Sequence, residues 1–62
     1  YRIGLSEYIT LVRIEHAKEL LVNTNIPIAD ISQKVGYVNP RSFFRNFMRI
    51  AGTSPKEYRN MK

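Results

Sequence analysis

The sequence predicts an all-α chain of about four helices, two of them set as a helix-turn-helix. Three observations carry that prediction. In residues 40–51, Phe43, Phe47 and Ile50 recur at steps of four and three, one apolar stripe of a helix. Just upstream, Ile28, Ile31 and Val35 follow the same period and run into Gly36, which can end one helix and redirect the chain. Charge is also uneven: residues 1–30 sum to −1 and residues 31–62 to +6. The basic charge therefore lies on the paired helices and the tail, which favours an anionic partner for that half. No strand pattern competes anywhere.

Taken in order, Tyr1 to Gly4 read as the remnant of a preceding segment: Tyr1 and Ile3 are apolar with nothing to cover them, and Gly4 is a break. A long helix follows from about Ser6 to Val22, within a segment 5–23, with Ser6 as its N-cap and Glu7 beside the positive end of its dipole. Ile9, Val12, Ile14, Ala17, Leu20 and Leu21 are expected to form its buried flank, and Glu15, Lys18 and Glu19 to face water. Asn23-Thr24-Asn25 is a polar turn.

The helix-turn-helix spans 27–51. Pro27 suits the first turn of its first helix, and Asp30 complements the dipole there. Tyr37 and Val38 bridge to the second helix, which Asn39 caps, Pro40 opens and Gly52 ends. Last, Ser54-Pro55 followed by Glu57 is a capping-box pattern that opens a short helix over 54–61, with Tyr58 laid on the core.

Composition narrows the function. Sixty-two residues, 44% hydrophobic with seven aromatics, suffice for one thin core. There is no cysteine and a single histidine, His16, so neither a disulfide nor a metal site is expected, and His16 reads as a surface or partly packed residue. No apolar run approaches the roughly 20 residues that span a bilayer. A nucleophile–base pair, a glycine-rich phosphate loop and clustered carboxylates are all missing, so the chain does not read as an enzyme and no cofactor is expected.

Arg41, Arg45 and Arg49 recur every four residues on a face other than the apolar stripe. In a helix-turn-helix the start of the second helix points at base edges, so Arg41 and Arg45 are the expected base readers, with Ser42 beside them. Phe44 either touches a thymine methyl or tucks under Tyr37 into the core. Arg49, a turn further on, is expected to meet phosphate, and Asn46 to add a polar contact. Backbone clamps are expected from the amino-terminal end of the helix near Ile28 and from Lys34, Lys56 and Arg59. Arg13 is divided between an internal salt bridge and DNA.

Tyr8-Ile9, Arg13-Ile14, Ala17 and Leu20-Leu21, then Pro27-Ile28, Ile31, Val35-Gly36-Tyr37, Phe43, Arg45 and Phe47, and finally Gly52, Ser54-Pro55 and Tyr58-Arg59 stand in one ordered set. From Leu5 to Arg59 that set resembles the AraC/XylS type of bacterial transcription regulator, in the carboxy-terminal part of its DNA-binding domain. The resemblance implies a homeodomain-like fold, a linker helix over 5–23, and a second helix-turn-helix that puts one helix into the major groove. It makes residues 1–4 the tail of a first helix-turn-helix unit, and implies a larger, cytoplasmic, nucleoid-associated parent that dimerises through other parts. Double-stranded operator DNA is the implied partner. A helical protein-interaction module, touching RNA polymerase or a companion domain, is the alternative. Two positions depart from the family: Ser32 stands where alanine is usual, and Phe44 where a small polar residue is usual.

Overall fold

The computed structural model describes residues 4–61, which form four helices: α1 (Leu5–Asn23), α2 (Ile28–Lys34), α3 (Pro40–Ala51) and α4 (Pro55–Asn60). The remnant reading of residues 1–4 falls, except for Gly4, outside the described residues. α1 packs against each of the other three, and α3 lies against both α2 and α4. No helix among the described residues is long and apolar enough to cross a membrane.

Local chemistry explains most of the boundaries. Asn39 Oδ1 accepts the Arg41 amide at 2.9 Å, and Pro40 supplies a first-turn residue that needs no donor. Gly52 ends α3 in the left-handed conformation (φ 79°), its amide bonded to Met48 O. Ser54 Oγ accepts the Glu57 amide at 3.2 Å, and the Glu57 carboxylate accepts the Thr53 hydroxyl at 3.0 Å. The capping box is thus half formed. Its glutamate takes hydroxyls rather than the backbone N–H of the cap.

Three expectations change. Ser6 does not cap α1: the helix starts earlier, where the extended Gly4 accepts the Tyr8 amide at 3.0 Å, and Ser6 lies within the first turn. Pro27 caps α2 rather than joining its first turn, its carbonyl accepting the amides of Asp30 and Ile31. On α1 the buried residues are Ile14, Ala17 and Leu21, whereas Ile9 and Val12 are exposed together with Leu5 and Tyr8. Those four line the opposite side of the helix, and α2, α3 and α4 all pack on the Ile14 side.

The core is Ile14, Ala17, Leu21, Ile31, Val35, Tyr37, Phe43 and Phe47. Its spine is aromatic: Tyr37 meets Phe43 edge-on at 5.6 Å, Phe43 lies 5.7 Å from Phe47, and Phe47 meets Tyr58 edge-on at 5.6 Å. Phe43 and Phe47 are wholly buried, each worth about 1.5–3 kcal/mol in burial alone. These contacts fix the roll of α3 about its axis, and so decide which of its side chains face water. Ser32 is also fully buried, its hydroxyl donating to Ala29 O of its own helix at 2.8 Å.

Candidate nucleic-acid interface

With Phe43 and Phe47 pointing inward, the remaining sides of α3 present Arg41, Ser42, Phe44, Arg45, Met48 and Arg49 to solvent. Among the described residues, Arg41 and Arg45 have neither a hydrogen-bond nor an ion-pair partner for their side chains. They stand one helical turn apart, about 6 Å along the axis.

Arg49 is not free in the same way. Its guanidinium faces Glu7 in a two-pronged pair, Nη1 to Oε2 at 3.1 Å and Nη2 to Oε1 at 3.3 Å. The expected phosphate contact at this position therefore competes with an internal carboxylate. Asn46 is half-buried: its Nδ2 donates to Tyr37 Oη at 3.1 Å, and its Oδ1 lies 3.5 Å from Arg49 Nη2. That bond turns Asn46 toward the turn instead of the solvent-facing row, because its place on α3 is on the flank nearest Tyr37.

Arg59 departs furthest from expectation. It is half-buried and directed into the molecule, Nε donating to Leu21 O at 3.0 Å and Nη2 to Thr24 O and Ile26 O at 3.2 and 2.7 Å. It caps the carboxy-terminal end of α1, whose last carbonyls lack helical partners, and so ties α4 to the α1–α2 loop. It acts here as a structural staple, its Nε and Nη2 turned to main-chain carbonyls. Arg13 pairs with no acid among the described residues, so the internal salt bridge is not the form its contact takes. It lies over the Tyr37 ring at 5.5 Å and against Gly36, held by aromatic contact rather than by an acid.

Phe44 is not tucked under Tyr37; Phe43 takes that place. Phe44 is 43% exposed and sits at the mouth of an almost wholly apolar cavity of about 230 Å³ between α2 and α3, with Ile28, Ala29 and Pro40 in its walls and Lys56 at its rim. Ile28 itself is partly buried and packs on the core. Lys34, in the last turn of α2, and Lys56, in the first turn of α4, are both exposed. His16 is exposed, and no group of acids and histidines able to hold a metal ion occurs among the described residues.

Sequence reasoning missed two residues. Met48, half-exposed four residues after Phe44, borders the arginine row; it stands about 100° round α3 from Phe47, off the apolar stripe, so the helical period was the signal that could have found it. Glu7 lies 42 positions from Arg49, and nothing local signals their meeting.

Residues 1–61 match a helix-turn-helix domain family over essentially the whole chain. The chain belongs to the AraC-type helix-turn-helix family. Among similar AraC-type proteins, the lactose operon transcription activator of Staphylococcus xylosus is 44% identical over 54 residues, 87% of this chain and 19% of that protein. The melibiose operon regulatory protein of Escherichia coli K12 is 33% identical over 97% of this chain and 20% of its own length. The chain thus spans about a fifth of these relatives. In structure it superposes on the C-terminal domain of AraT, a response regulator from Geobacillus stearothermophilus, with TM-score 0.94 and 37% identity, covering 97% of this chain and 50% of that one. The all-α, four-helix architecture is the one its AraC-type residues imply.

Proposed function

We propose that this chain is a DNA-reading unit of a transcription regulator, with α3 in the major groove of a duplex and Arg41 and Arg45 on base edges. One observation carries the reading: two exposed guanidinium groups stand a turn apart on a helix whose opposite side is aromatic core, with no acid among the described residues to hold them. An arginine so placed donates two hydrogen bonds to guanine O6 and N7, worth about 1–3 kcal/mol against the wrong base. Ser42 adds a short polar contact at the start of α3, and Phe44 and Met48 offer apolar surface to thymine methyl groups. Lys34 and Lys56 supply sequence-independent contacts to phosphate.

The operon regulators among its relatives support the same assignment, as part of a larger protein that acts on the chromosome in the bacterial cytoplasm. The chain alone is expected to bind weakly. The test is fluorescence anisotropy of a labelled duplex across a salt series, with selection of preferred sites from random duplexes. With Lys34 and Lys56 on phosphate and Arg41 and Arg45 in the groove, two to four phosphates' worth of released counterions give a slope of log K against log salt of about −2 to −4. Arg41→Ala and Arg45→Ala abolish sequence preference and leave the helical circular dichroism intact. A slope near zero, or retention on DNA unaltered by both replacements, refutes the reading and favours a protein surface such as RNA polymerase as the partner.

A further inference from the structure

The arginine row of α3 is not uniform: Arg41 and Arg45 stand free among the described residues, while Arg49 is gripped from α1 by both oxygens of Glu7. A pair this open, with side chains 54% and 40% exposed, contributes little to folding. Nor does α3 need it for placement, since Phe43 and Phe47 already fix the helix in the core. What the pair does change is charge. It neutralises one third of the row and sets a carboxylate beside the part of α3 that would pass close to the phosphate backbone.

We infer that Glu7 limits the affinity of the reader helix for DNA by holding the Arg49 guanidinium away from phosphate; this rests on the DNA-reading assignment above. A phosphate oxygen and a carboxylate oxygen compete for the same two N–H groups, and both make charge-assisted bonds in the same planar fork. Association must therefore either break the internal pair or leave Arg49 out of contact with phosphate. Either way the chain neutralises fewer phosphates than its arginine count suggests. Glu7 is a positioning residue that acts on DNA through Arg49.

The test compares wild type, Glu7→Gln, Arg49→Ala and the double variant on one random-sequence duplex from 50 to 200 mM salt. Glu7→Gln tightens binding and steepens the salt slope by about 0.9, one phosphate's worth, so its advantage over wild type shrinks about 3.5-fold across that range. In the Arg49→Ala background the same change leaves the slope where it was. A wild-type slope retained by Glu7→Gln overturns the inference, as does a gain that survives without Arg49, which would make Glu7 a generic negative charge. A large drop in the melting temperature of Glu7→Gln would mark the pair as structural and also count against it. Wild type that shows no salt-dependent retention on DNA overturns the DNA-reading assignment and this inference together; wild type that binds, with Glu7→Gln unchanged, overturns this one alone.

Discussion

Arg59→Ala separates a structural arginine from a DNA-contacting one. The side chain makes three hydrogen bonds to main-chain carbonyls, at Leu21, Thr24 and Ile26, and holds α4 to the end of α1. Bonds to a charged donor contribute about 1.5–3 kcal/mol each when fully formed. Two of the three share Nη2, and the site is only half-buried, so water replaces part of what is lost. A net cost of about 2–4 kcal/mol follows. In a domain this small, 1 kcal/mol corresponds to about 4–8 °C, so the melting temperature falls by roughly 10–30 °C. Thermal and urea denaturation followed by far-ultraviolet circular dichroism reads this directly, with Arg45→Ala as the control, expected within about 0.5 kcal/mol of wild type. Arg59→Lys should recover less than half of the loss, because one ammonium cannot span three carbonyls that a planar fork reaches. A melting temperature for Arg59→Ala within about 4 °C of wild type, below 1 kcal/mol, would refute the staple.

Gly36 adopts φ 107°, and a Cβ there would lie 3.1 Å from Arg13 Nε, so Gly36→Ala should cost about 1–3 kcal/mol in urea denaturation. Adding Arg13→Ala should not restore it, since the backbone strain remains when the side chain is gone. Ser32→Ala should leave stability within about 1 kcal/mol of wild type: the buried hydroxyl bonds only its own helix, and its removal strands no partner elsewhere.

The helices and their ends were legible because they depend on neighbours three or four residues away. Asn39, Gly52 and Ser54 each do at their helix ends what their side chains, or the lack of one, predict. So do Phe43 and Phe47, whose spacing marked them as core before any partner was known. α1 was harder. Its apolar residues read as one flank, but they divide between two opposite sides, and only one side meets α2, α3 and α4. A helix with greasy residues all round gives its own pattern no means of choosing the covered face.

Arginine is where the two levels of description part. The chain alone determined an all-α fold, a basic second half, and an arginine row at one helical period on α3, since each follows from composition and local spacing. It could not assign the individual guanidinium groups. Arg45 points to solvent, Arg49 meets Glu7 and Arg59 meets the Leu21 carbonyl, pairings 42 and 38 positions apart. Long, flexible cations of equal charge differ only in what the packed helices bring within reach of them. Tertiary packing alone decided which arginines hold the molecule together and which remain available to a ligand.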